Sequence, residues 1–336
     1  MEVTEVEEVL RVLDSSLSNI KWRLKSPAKR RLQLDVLALC TEMRPVIMVD
    51  YGGKMPELQE HLCALLKLCQ QHLFQESAIF ERLRVMVIED MIYLIHVRAL
   101  AEYVKSSLNS KVELLFVNLE QDPPKMVTQA EESSLVAELL RVQNLFSLFF
   151  PLNGLDNDLL SSCHMKDTAD NTESSTNKPI TSWSSEFIDL SSCLQDSQVT
   201  VPTLNGWLLG YPVIYLFSKE HIADAIYNLS TKYLHIFRIS VSSFQGFWDL
   251  MPTLQFNLPK PKVTDCEQRN ISPNKGSQPE ELMSFSVPYE LSMGGSKEPW
   301  AEAFLAQMQS RWKKCKSVWK PLQMEVSEYY PQAIVL

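Results

Sequence analysis

Glycine is scarce in this chain, 9 residues in 336. None of them builds the GxGxxG turn through which a backbone approaches a dinucleotide pyrophosphate; the turn after the first apolar run is instead Asp50-Tyr51-Gly52-Gly53-Lys54. Gly294-Gly295-Ser296-Lys297 precedes a helical stretch, but its Lys follows the Ser and the upstream glycine of a phosphate loop is missing. No GxSxG elbow, HExxH pair or kinase signature is present. The six histidines, at 61, 72, 96, 164, 221 and 235, show no ligand spacing with cysteines or carboxylates, so no metal site is expected. Seven cysteines stand at 40, 63, 69, 163, 193, 266 and 315, an odd number without CxxC pairs, which reads as reduced thiols in an intracellular protein. Cys163-His164 adjoins a polar stretch where no packed shell would orient a nucleophile.

Long apolar runs are also missing. No window reaches the roughly 18 residues of a membrane span, and the acidic start Met1-Glu2-Val3-Thr4-Glu5 lacks the positive and apolar regions of a secretory signal. The sequons at Asn228 and Asn270 therefore carry no weight. With 32 basic against 41 acidic residues the net charge is −9, which argues against a general affinity for nucleic acid. The 18 prolines follow no collagen-like or heptad period.

What remains is an ordinary globular composition, 45% apolar, enough for one large core or two small ones. Val3, Val6, Val9, Leu10, Leu13, Leu17, Ile20 and Leu24 recur at three and four, predicting a helix over about 3–24. A second helix starts near Pro27. The cations Lys21, Arg23, Lys25, Lys29, Arg30 and Arg31 crowd this junction, either as a solvated face or as a nuclear-localisation or RNA-contacting patch.

Pro45-Val46-Ile47-Met48-Val49 reads as a buried strand ended by Asp50-Tyr51-Gly52-Gly53, and Leu58, Leu62, Leu65, Leu66, Cys69 and Leu73 form the stripe of a following helix. This is the first part of a βαβ unit. Residues 83–88 and 91–95 predict a hairpin about Glu89-Asp90, 98–108 a helix, 112–117 a strand and 130–150 an amphipathic helix. Leu208 to Phe217 reads as a strand, 219–229 as a helix and Tyr233 to Val241 as a strand, together a second βαβ unit. Met283 to Pro288 reads as a further strand. Two polar stretches, about 153–182 and 262–280, read as disordered inserts that cannot offset their ordering entropy by burial.

The expected fold is α/β, a mixed, mostly central sheet flanked by helices on both faces, with both halves adding strands to one sheet. Residues 1–29 form an N-terminal helical extension to a single domain over 30–336.

Two surfaces are candidates for function. In open α/β sheets ligands seat outside the carboxyl ends of strands, which singles out Asp50 with Gly52 and Gly53 before a helix, and Gly210 and Tyr211 if their strand is a neighbour. The seat would suit an anion or nucleotide; alternatively Asp50 caps the helix or fixes the turn. The second surface is the stripe Trp300, Phe304, Met308, Trp312, Cys315 and Trp319, which caps the sheet, docks a partner or, backed by Arg311, Lys313, Lys314, Lys316 and Lys320, lies as a basic amphipathic helix on a membrane surface.

Val49-Asp50-Tyr51-Gly52-Gly53, Leu208-Leu209-Gly210-Tyr211-Pro212-Val213-Ile214-Tyr215 and Ser284-Phe285-Ser286-Val287-Pro288 resemble segments of the uncharacterised eukaryotic family of the human chromosome 1 open reading frame 74 protein, uncharacterised protein family 0739. The resemblance runs from about residue 30 onward, outside the two inserts. It implies no reaction, cofactor or catalytic residue. The expectation is therefore a cytoplasmic protein, also nuclear if the basic stretch acts as a signal. It is either a non-catalytic interaction or scaffold protein with protein partners, or an enzyme or small-ligand binder using the crevice near Asp50.

Overall fold

A computed structural model describes residues 1–71, 78–109, 114–127, 133–152, 187–241 and 279–334. The insert expected at 153–182, most of that at 262–280, and the Cys163-His164 pair lie outside these residues. Helix α1 (Val3–Ser18) starts with a capping box, the Glu2 amide donating to the Glu5 carboxylate, and buries Val6, Val9, Leu10, Leu13 and Leu17 along one face. Helix α2 (Ser26–Cys40) has Pro27 in its first turn, where the missing donor costs nothing, and every residue from Leu32 to Leu39 is buried. The N-terminal helices thus pack into the molecule's larger core.

Three sheets follow. In the first, β1 (Val46–Met48) pairs antiparallel with β3 (Met91–His96), which pairs antiparallel with β2 (Leu83–Ile88), and β2 runs parallel to β6 (Phe187–Asp189). The β2–β3 hairpin forms as expected, its two-residue loop placing Glu89 at φ 54°. β1 and β2 are parallel with β3 between them, and α3 (Glu57–Gln71) with the short α4 (Ala78–Glu81) makes the crossover.

The second sheet has the order β5 (Lys125–Val127), β4 (Leu115–Asn118), β7 (Val213–Leu216), with β4 and β7 parallel. The third is antiparallel, β10 (Gln323–Tyr329), β8 (Leu234–Val241), β9 (Glu280–Pro288). Helices α5 (Val97–Leu108), α6 (Ser134–Phe149), α7 (Ser191–Leu194), α8 (Val201–Leu208), α9 (Ile222–Ser230) and α10 (Pro299–Lys314) complete the described chain.

The α/β class therefore holds, and the joining of all strands into one sheet does not. β7 and β8 fall in different sheets, so the second βαβ unit expected over 208–241 is not one: β8 takes antiparallel partners on both sides and α9 merely bridges. The stretch beginning at Leu208 is also not all strand. Leu208 is the last residue of α8, and a Schellman turn ends that helix, Tyr211 N donating to Gly206 O and Gly210 N to Trp207 O, with Gly210 at φ 75°. Only Val213–Leu216 extends.

Period-two alternation makes the first two sheets a middle layer between two cores. Ile47, Leu94, Val85, Val117 and Val213 face the larger core under α1, α2, α3 and α10. Val46, Ile95, Met86, Phe116 and Ile214 face the smaller one under α5, α6 and α8. Each such side chain removed from water contributes about 1.5–3 kcal/mol.

Candidate ligand site at the end of the first strand

β1 is the edge of its sheet, and the backbone pairing ends where Val49 N donates to Ile92 O at 2.9 Å. Asp50 follows, exposed. Gly52 then turns the chain at φ 84°; a Cβ there would lie 2.8 Å from Leu24 Cδ2 and 3.0 Å from Trp22 Cζ2, while its carbonyl accepts from Trp22 Nε1 at 2.7 Å. Packing against Trp22 demands this glycine. Gly53 continues toward α3 and borders a cleft of about 340 Å³.

The cleft has an apolar floor of Met48, Val49, Leu58 and Ile92, and three charged side chains line it: Asp50, Lys54 and Asp90. Its volume falls at the lower end of the range of small-molecule sites. Asp90 comes from the β2–β3 hairpin turn, which the β1–β3 pairing brings beside the end of β1. An anion is poorly served here. Two of the three charges are carboxylates, and α3 carries Glu57 and Glu60 in its first turn, so its N-terminal dipole is already complemented.

Tyr51 points the other way, into the protein. Its hydroxyl donates to Asp35 Oδ2 at 2.7 Å, and Arg31 grips the same carboxylate through Nε at 3.1 Å and Nη2 at 3.1 Å. Arg31 Nη1 also donates to Glu281 O at 2.7 Å, and Arg44 Nη1 to the next carbonyl, Leu282 O, at 3.1 Å. These bonds tie α2 and the start of β1 to β9. Burial pushes the Asp35 carboxyl above its ordinary range, and Arg31, the Tyr51 hydroxyl and Arg44 pull it back. The Tyr51 phenol is held far above its ordinary range by burial and by Asp35. The Tyr211 phenol is raised too, by burial first, against the pull of Arg44 and Arg31, with Asp50 among the charges that raise it.

The three segments that carry the family resemblance meet here. Tyr51 belongs to the first; Tyr211, of the second, lies 5.6 Å ring to ring from Phe285 of the third; and Tyr215 Oη donates to Ser286 O at 2.8 Å. Of the residues singled out from sequence, Asp50 and Gly53 line the cleft and Gly52 supports it from behind. Tyr211 sits in the buried polar cluster, and Gly210 caps α8, with no heavy atom within 4 Å of where a Cβ would stand. Sequence reasoning passed over Arg31, Asp35, Arg44, Lys54 and Asp90 as parts of this region. Asp35 carried a readable signal, a lone charge inside the apolar run Leu32–Leu39, since a buried charge demands partners.

The aromatic stripe lies elsewhere and faces inward. Phe304, Met308 and Trp319 are buried in the larger core; Trp300 and Trp312 are half-buried against it. The helix ends at Lys314, so Cys315 and Trp319 lie in the turn beyond it, where Trp319 Nε1 donates to Thr41 Oγ1 at 3.1 Å and Trp312 Nε1 to Trp319 O at 2.8 Å. Of the basic stretch, Lys29 pairs with Asp14 at 3.1 Å, Arg30 with Glu280, and Arg31 with Asp35.

A family model described as a domain of unknown function (DUF4504) matches residues 14–270 and 262–336. The chain belongs to this family. No curated protein and no solved structure matches the chain. Asp35, Tyr51 and Tyr211 fall in the first matched stretch of the DUF4504 chain, Phe285 and Ser286 in the second, so the buried cluster joins both parts of the family's own domain. Among the described residues no helix is long and apolar enough to cross a membrane and no three metal-ligating side chains converge.

Proposed function

We propose that this DUF4504 protein binds a small molecule in the cleft at the end of β1, one that brings an amine or hydroxyl donors to Asp50 and Asp90 and lays an apolar part on Met48, Leu58 and Ile92. The observation that carries the reading is the union of Asp50, Lys54 and Asp90 over an apolar floor in one 340 Å³ cleft, the pattern of a few placed polar groups in a mainly apolar recess. Two carboxylates against one amine favour a donor-rich or cationic ligand over the anion or nucleotide that the sequence suggested. The scaffold reading has less support, because the aromatic face that would have met a partner packs against the protein's own sheets. Kinship with the chromosome 1 open reading frame 74 family fits the same proposal and rests on the three quoted segments alone.

The test is thermal denaturation against amines, amino alcohols, nucleosides and nucleotides, with Asp50→Asn and Asp90→Asn alongside. A ligand held at about 100 times its Kd adds roughly 2.7 kcal/mol of stability. A stabilising amine or nucleoside whose effect disappears in folded Asp50→Asn is the expected result. A panel without a hit, or a hit untouched in the double variant, refutes the reading.

A further inference from the structure

Lys54 has no counter-ion, although Asp50 and Asp90 line the same cleft. Among the described residues none of these three side chains closes an ion pair or a hydrogen bond, with one another or with the protein around them. Their backbones stand on separate supports. Asp50 ends β1 and Asp90 occupies the two-residue turn of the β2–β3 hairpin, so both carboxylates belong to the sheet side. Lys54 leads into α3, its carbonyl accepting from Leu58 N at 2.9 Å, so the ammonium belongs to the helix side. The apolar floor draws on both: Met48 and Ile92 from the sheet, Leu58 from the helix.

Opposite charges held apart in one recess select for a ligand that carries both signs. An amine alone would answer the carboxylates and meet Lys54 as a like charge; an anion alone would answer Lys54 and meet two carboxylates. A zwitterion gives each its counter-charge. An α-amino acid bears its ammonium, its carboxylate and its side chain on one carbon, so its three substituents match the three parts of the cleft. A volume of about 340 Å³, at the lower end for small-molecule sites, suits one such residue.

We infer that the cleft takes a free α-amino acid with an apolar side chain: ammonium to Asp50 and Asp90, carboxylate to Lys54, side chain on Met48, Leu58 and Ile92. This rests on the reading of the cleft as a small-molecule site and goes beyond it in requiring the ligand's carboxylate.

The experiment is isothermal titration calorimetry of the full chain with L-leucine, L-leucinamide and glycine at about pH 6.5, below the ordinary α-amino range. Leucinamide keeps the shape and the amine of leucine and lacks its negative charge. A site selective for cations alone holds leucinamide at least as well as leucine, because two carboxylates outweigh one ammonium; a zwitterion site reverses that order. Leucine is expected to bind saturably, about tenfold or more tighter than leucinamide, and tighter than glycine, which lacks the apolar side chain. In Lys54→Gln, a change at an exposed position of the kind that leaves stability nearly unaltered, leucine falls to the level of leucinamide, while leucinamide binds unchanged or tighter. Leucinamide equal to leucine or tighter, leucine unaltered in Lys54→Gln, or glycine as tight as leucine overturns the inference and leaves the amine-binding reading of the cleft in place. Absence of saturable binding by leucine at millimolar concentration overturns it too, and the wider panel of amines and nucleosides then decides the reading on which it rests.

Discussion

The Tyr51 hydroxyl donates to the Asp35 carboxylate across 2.7 Å, joining the turn after β1 to the middle of a fully buried stretch of α2. Asp35 is 1% exposed and Arg31 supplies its other bonds. Removing the hydroxyl in Tyr51→Phe leaves a buried carboxylate with one partner instead of two. The expected loss is about 1–3 kcal/mol, read as a lower urea midpoint at unchanged m-value. A loss below about 0.5 kcal/mol, the scale of surface substitutions, would mean that Arg31 alone satisfies Asp35.

Gly210→Ala tests the cap of α8. With φ at 75° and no heavy atom within 4 Å of an added Cβ, the variant incurs backbone strain only, about 1–2 kcal/mol. Gly210→Asn recovers part of it, because asparagine tolerates the left-handed region better. Equal stability of the wild type and Gly210→Ala would show that the turn relaxes out of this conformation.

The same helix shows why parts of the fold were legible in sequence and parts were not. The β2–β3 hairpin was legible because two apolar runs flank a two-residue break, and the α1 face because its spacing is helical throughout. Local periodicity carries such elements. Over 201–217 the apolar residues are nearly continuous, and period cannot tell a buried helix from a buried strand. The punctuation could have: Pro202 in the first turn, Gly210 at the cap and Pro212 beyond mark a helix that stops. Which strand joins which sheet is a long-range matter, settled by packing such as that of Tyr215 on Ser286, and no local pattern encodes it. The cleft followed the same division. Asp50 was visible from its place after a strand, whereas Asp90 joins it only through the pairing of β1 with β3.

Met308→Ala separates packing from docking on α10. Met308 is buried beside Phe304, whose ring lies 5.6 Å edge-on to Phe285 of β9. A core position loses its transfer energy and leaves a cavity, about 2–5 kcal/mol for this truncation. Near-wild-type stability in chemical denaturation would instead mark the face as one the fold does not need.

The last prediction concerns acid. His96 ends β3 and caps α5, its Nδ1 accepting from Ala99 N at 3.1 Å, a bond that needs the unprotonated nitrogen. Burial first, then Arg82 and Arg98, hold the imidazole down to about 4 from its ordinary 6.5. Glu42 opposes this only weakly: it stands 3.9 Å from Nε2 with its own side chain 38% exposed. The unfolded chain takes up a proton as pH falls below 6.5, whereas native His96 stays neutral until about 4. Its contribution to stability is thus fully present above 6.5 and declines through the interval to 4, by about 2 kcal/mol between pH 7 and 5. Carboxylates add their own slope, so the decisive quantity is the difference between wild type and His96→Asn, in which an uncharged side chain can still accept from Ala99 N. That difference is expected to shrink or reverse in favour of the variant from pH 7 to 5 in urea denaturation; a difference independent of pH would show that native His96 takes up its proton near 6.5 after all.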